Sequence, residues 1–153
     1  MKRLKSKESR ELETRRILYC NHKRPHDNPQ ERDAQAVGPP IPRDGPLLGQ
    51  LFESLVTLCV RVYAQAAEAR AMHLRTKGGE REIDLIVERA DRRVVAVEVK
   101  FARTVDDRDV RHLSWLAATM GDNLLDAVVV TTGSEAYRRP DGIAVVPAAL
   151  LGP

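Results

Sequence analysis

Three residues of the chain have the types and spacing for metal-assisted hydrolysis. Asp84 is followed, after thirteen residues, by Glu98-Val99-Lys100. Two carboxylates brought together form a hard, oxygen-rich site of the kind Mg²⁺ (or Mn²⁺) takes, because such an ion needs few protein ligands and keeps several waters. An ammonium beside them can hold or help deprotonate a bound water and can neutralise charge building on a phosphate. Such a set is equipped for phosphodiester hydrolysis. A Glu-x-Lys tripeptide alone is ordinarily a solvated ion pair worth little, so the case for chemistry lies in the whole set and in the elements that aim it.

The stretch Arg93 to Lys100, RVVAVEVK, reads as a strand. Residues two apart on a strand point the same way, so Val94, Ala96, Glu98 and Lys100 share one face and Val95, Val97 and Val99 the other. Before it, Glu82 to Arg89 alternates Ile83, Leu85 and Val87 against Asp84, Ile86 and Glu88, and Asp91-Arg92 closes a hairpin between the two. A register pairing the start of one strand with the end of the other places Asp84 beside Glu98 and Lys100; a slip of one residue turns it away.

Further out, Gly45-Pro46 opens a helix with Leu48, Leu51, Phe52, Leu55, Cys59, Val62, Tyr63 and Ala66 at three- and four-residue spacing. Glu53 on this helix lies off the centre of that stripe, beside Val56 and Val60, and either flanks the site or faces water. A short strand at Ala71 to Arg75 and a turn at Thr76-Lys77-Gly78-Gly79 lead into the hairpin. Asp106 to Met120 is expected as a helix, with Val110, Leu113, Leu116 and Ala117 as its face and Gly121 as its stop. Leu125 to Thr131 reads as a central apolar strand and Ile143 to Val146 as a last short one. The order of helix, three strands, helix, strand, strand describes an α/β sandwich with a mixed central sheet flanked by helices.

A chain of 153 residues has room for one domain and a tail. Residues 1–45 hold 11 Lys/Arg against 7 Asp/Glu, a net +4, and the rest holds 14 against 15, a net −1. The sequence pI of about 9.1 therefore reflects the first segment and is no evidence for a basic face on the domain. Residues 1–44, rich in proline toward their end and without sustained apolar period, are expected as a disordered or loosely helical basic tail, and residues 45–153 as the domain. The longest apolar run, Leu47 to Ala67, is interrupted by Gln50, Glu53 and Arg61, and no apolar signal core follows the N-terminal charges. With two cysteines, Cys20 and Cys59, and no disulfide framework, the expectation is a cytoplasmic protein with no membrane partner.

Other residues carry weaker signals. Cys20, His22 and His26 provide three zinc-type ligands where a structural site needs four. His73 and His112 read as a strand-end and a helix-surface residue, and Trp115, Tyr137 and Arg138-Arg139 as surface positions too few for a base-stacking platform.

Asp84, Glu98-Val99-Lys100 and the helix carrying Glu53 together resemble the PD-(D/E)xK nuclease superfamily with its restriction-endonuclease-like fold. More closely, Gly45 to Glu53, Leu74 to Asp84, Val97 to Lys100 and Gly142 to Pro147 resemble the C-terminal domain of unknown function of bacterial and archaeal AAA-type ATPases, over about residues 45–153. The resemblance implies Asp84 and Glu98 as metal ligands, the Val99 carbonyl as a further ligand, Lys100 as the water-orienting group and Glu53 as a helix-borne carboxylate. Ile83 stands where the superfamily pattern has proline. The chain has no G-x-x-x-x-G-K-(S/T) run, so no ATP is expected to bind by that means, and it reads as a C-terminal piece detached from an ATPase module. The implied activity is Mg²⁺-dependent hydrolysis of phosphodiesters, with DNA as the expected substrate. The alternative is a non-catalytic interaction or regulatory module, and a homo-oligomer or protein partner is open under either.

Overall fold

The computed structural model describes residues 45–152, and the expectations for the N-terminal tail, zinc ligands included, lie outside the described residues. Helix α1 spans Gly45–Ala66, with Pro46 in its first turn, where a missing N–H is no loss. Strands β1 (Arg70–Arg75), β2 (Glu82–Glu88) and β3 (Val94–Lys100) form an antiparallel meander. Helix α2 (Arg111–Met120) then crosses over to β4 (Leu124–Thr131), parallel to β3. β5 (Tyr137–Arg138) and β6 (Ala144–Pro147) complete a mixed six-stranded sheet in the order β1-β2-β3-β4-β6-β5. The apolar run in β4 pairs on both sides, with β3 and β6, as its composition predicts.

Each face of the sheet is covered by one helix. Val56 and Val60 of α1 pack on Leu85, Val97, Val99 and Val130. On the opposite face Leu113, Leu116 and Met120 of α2 pack on Ile83, Ile86, Val94, Ala96 and Val129. The two turns of the meander form where expected. Gly78 and Gly79 take φ of 104° and 74°, which side chains disfavour, and Gly79 N–H donates to the Thr76 carbonyl. At the second turn the left-handed residue is Arg92, φ 68°, with Asp91 Oδ1 accepting from Arg93 N–H.

Four expectations are corrected. α2 begins at Arg111 and not at Asp106. Asp106 Oδ1 accepts from the N–H groups of Arg108 and Asp109, and Asp109 Oδ2 from that of Asp106, so these carboxylates hold a turn in place of the helical ladder. The sheet has one strand more, because Tyr137–Arg138 pairs with β6 at the edge, too short for periodicity to show. In α1 the buried line is Val56, Val60 and Ala64, whereas Leu51, Leu55 and Val62 of the expected core stripe are 53%, 56% and 55% exposed. The helix has two apolar faces, and the broader one does not meet the sheet.

The fourth correction bears on the site. Met72 pairs with Ile86 and Leu74 with Ile83, so two steps along β1 match three along β2. β2 therefore carries one extra residue between Ile83 and Ile86, a β-bulge at Asp84-Leu85. Strict alternation is lost there: Ile83 joins Ile86 on the α2 face, and Leu85 lies on the α1 face.

Candidate functional site

The bulge decides where Asp84 points. The regular β2–β3 ladder ends at Leu85↔Val97, and one residue further Asp84 Oδ2 accepts the Val99 N–H at 2.7 Å. A side-chain carboxylate thus takes the position of a main-chain acceptor where the two strands part. The N–H and C=O of one extended residue project to the same side of the strand, so the Val99 carbonyl is also directed toward the Asp84 side. Glu98 and Lys100 flank Val99 on β3, and Lys100 Nζ lies 3.1 Å from Glu98 Oε1.

Glu98 is 7% exposed, and its second oxygen, Oε2, is buried with no hydrogen-bond partner. An ionised oxygen without donors in such a place is costly. Burial, followed by the neighbouring Asp84 charge, pushes the Glu98 carboxyl up to about 7 in spite of Lys100. Burial also raises the Asp84 carboxyl above its ordinary range, against the Val99 N–H and the Lys100 charge. Burial disfavours the Lys100 ammonium, but the charge and hydrogen bond of Glu98, with the charges of Asp84 and Asp109, outweigh it and raise that group. Two partly desolvated carboxylates that share a single ammonium, with the Asp84 charge raising Glu98, are short of positive charge.

Glu53 lines a cavity of about 440 Å³ between α1 and the sheet, together with Thr57, Arg61, His73, Glu82 and Asp84. Partial desolvation, and next the Asp84 charge, raise its carboxyl. Glu53 lines this cavity with Asp84 and is at the same time exposed to solvent, because Val56 and Val60 beside it, and not the stripe centre, seat α1 on the sheet. His73 is a lining residue as well as a strand residue: Nδ1 meets the Asp84 carbonyl at 3.2 Å and Nε2 meets Glu82 Oε1 at 3.0 Å. Neither His73 nor Glu82 nor Arg61 carries a sequence signal for this place, since the bulge in β2 has no residue signature and Arg61 comes to the cavity from α1. His112, half-buried in the first turn of α2, also makes a contact to the sheet. Arg111 donates to its Nε2, leaving Nδ1 to donate to the Glu82 carbonyl at 2.7 Å and tie α2 to the start of β2.

Asp84, Glu98, Val99 and Lys100 are thus brought together, and Glu53 lines the adjoining cavity with Asp84. Among the described residues no three carboxylate, imidazole or thiol groups converge tightly enough to hold an ion by themselves. A cation here would rest on two carboxylates, a main-chain carbonyl and water, a donor set that suits Mg²⁺ and not zinc. The orphaned Glu98 Oε2 is the feature that such an ion would satisfy.

Residues 48–151 match the model of a domain of unknown function, DUF4143. The chain belongs to that family. DUF4143 domains sit in AAA-ATPase-associated proteins, and the match takes in α1 from Leu48 onward, the whole sheet and every candidate residue. Comparison with curated proteins and with solved structures returned no match.

Proposed function

We propose that this DUF4143 domain is a Mg²⁺-dependent nuclease-like module that hydrolyses phosphodiesters, with DNA as substrate, on a restriction-endonuclease-like fold. The observation that carries the reading is the buried, unpartnered Glu98 Oε2 beside Asp84, with Lys100 at 3.1 Å from the other Glu98 oxygen. Asp84, Glu98 and the Val99 carbonyl would hold the divalent ion. Bound there, the ion would supply charge for the phosphate oxygens and acidify a water. Lys100 orients the attacking water and offsets negative charge as the phosphate is attacked. Its ammonium is suited to this because the neighbouring carboxylates keep it protonated. Glu53, which lines the cavity together with Asp84, accepts a hydrogen bond from that water.

The test is cleavage of plasmid DNA with Mg²⁺ or Mn²⁺ by the wild type, Asp84→Ala and Lys100→Ala. Activity that needs the ion and falls by at least about a hundredfold in both variants is expected. Equal activity in all three would mean a contaminant.

One observation favours a second reading, a non-catalytic interaction or regulatory module related to an AAA-type ATPase. Residues 46–153 carry 14 Lys/Arg against 15 Asp/Glu, whereas phosphate-binding surfaces are usually basic. Calorimetric titration discriminates, since lack of Mg²⁺ or Mn²⁺ binding at millimolar concentration would leave only this second reading.

A further inference from the structure

The cavity between α1 and the sheet holds about 440 Å³, inside the range of about 300–1,000 Å³ for small-molecule sites and room for a base with its sugar. Asp84 belongs to two places at once. It lines this cavity, and its Oδ2 accepts the Val99 N–H beside Glu98 and Lys100. Whatever is attached to a phosphate held at Asp84 therefore has the cavity as its next space. Hydrolysis at that point uses Glu53 and Asp84 of the wall and gives the rest of it no task.

That remaining wall suits a planar heterocycle. Both ring nitrogens of His73 are already engaged, Nδ1 with the Asp84 carbonyl at 3.2 Å and Nε2 with Glu82 Oε1 at 3.0 Å. What the imidazole still offers a ligand is its ring surface, held in one orientation from both sides, and histidine rings are among those on which unpaired bases stack. Leu58 and Leu85 add apolar surface, and the Thr57 hydroxyl can donate to or accept from a base edge. Arg61 adds a fork of donors that fits the acceptor pairs of bases. Leu58, 62% exposed, and the exposed Arg61 leave the way in from solvent open.

We infer that this cavity is a nucleobase subsite that takes the base of a nucleotide next to the scissile phosphate, so that the domain prefers DNA unpaired at the cleavage point. The inference rests on the phosphodiesterase role proposed for Asp84, Glu98 and Lys100. A base paired and stacked in a duplex cannot enter a cavity while its phosphate sits at Asp84. It has first to leave the stack, at a cost that a single strand does not bear. The charge balance of residues 46–153, 14 Lys/Arg against 15 Asp/Glu, agrees with this, because stacking supplies affinity that does not depend on cations. A free nucleotide shows the cavity the same base, and cleavage of a strand separates the two.

Two measurements on the full chain test this. In the first, one labelled oligonucleotide is cleaved with Mn²⁺ as a single strand and as a duplex. The single strand should be cut at least about tenfold faster, the worth of one stacked base. Thr57→Leu, which adds bulk and removes a hydroxyl, and separately Arg61→Gln should bring the two rates to within about threefold of one another, with unchanged circular dichroism. In the second, methyl-labelled protein is titrated with deoxyadenosine monophosphate without metal. The ring current of a bound base should shift the Leu58 and Leu85 methyl resonances on the cavity wall and leave those of Val94 and Val129, on the α2 face, in place. Equal, measurable rates on the two DNA forms overturn the inference and leave the nuclease reading standing, and so do cavity methyls that stay in place while DNA is cleaved. Shifted methyls in a protein that cleaves neither form keep the base subsite and remove the nuclease reading, so the two fail separately.

Discussion

Glu98 sits where two requirements conflict. Its strand is anchored by buried Val94, Ala96, Val97 and Val99, which hold it rigid, and that same anchoring buries the carboxylate at the strand end. Lys100 answers one oxygen at 3.1 Å and nothing answers the other. The consequence is a pH dependence with a definite sign. The folded carboxyl keeps its proton up to about 7, while an unfolded chain releases it near 4.5. Between these values the folded state binds more protons, so stability falls as pH rises and the loss is complete above 7. Glu98→Gln imitates the protonated form. Its stability relative to wild type should improve by up to about 3 kcal/mol between pH 4.5 and 8, read from urea midpoints at each pH. Millimolar Mg²⁺ should restore wild type at pH 8 and leave the glutamine variant unmoved. Parallel pH profiles for the two proteins would mean that Glu98 is ionised throughout.

At the scale of elements, the hairpin that presents the site is held from two sides, by α1 through Val56 and Val60 and by α2 through His112. Removing the second tether with His112→Ala takes away the hydrogen bond to the Glu82 carbonyl at 2.7 Å. The expected loss is about 1–2 kcal/mol, measured by thermal denaturation, together with weaker metal binding, because β2 positions Asp84 only two residues further on. A variant that melts lower yet binds metal as tightly would show that the bulge is fixed by β3 alone. The hairpin and its two turns are legible in the sequence because alternation and turn residues are local, but the register that sets Asp84 against the end of β3 stays open there to within one residue. The bulge is not legible, because an added residue changes the phase of Ile83 without changing its type. The same limit explains α1. Periodicity finds an apolar stripe, but two stripes on one helix look like one broad face until the sheet selects Val56 and Val60. The start of α2 fails for another local reason, in that Asp106 and Asp109 can cap a turn as well as a helix.

At the scale of the whole molecule, charge and chemistry are separated along the chain. The family match covers residues 48–151 and includes every candidate residue of the site, but the excess of Lys/Arg lies in residues 1–45, with 11 against 7 Asp/Glu. A phosphodiester substrate approaching residues 46–153, with 14 Lys/Arg against 15 Asp/Glu, gains little long-range attraction. If DNA is the substrate, the N-terminal segment should supply most of the electrostatic part of binding. Comparison of the full chain with residues 45–153 by fluorescence anisotropy on a labelled duplex measures this. Over about 50–200 mM salt the full chain should lose affinity steeply, by counterion release, and the shorter protein should bind at least about tenfold more weakly at the low-salt end with a flatter slope. Cleavage chemistry at saturating DNA should survive the deletion, because Asp84, Glu98 and Lys100 are untouched. Equal affinities and equal salt slopes would instead place the DNA contact on the folded domain, where Arg61 lines the cavity beside Asp84.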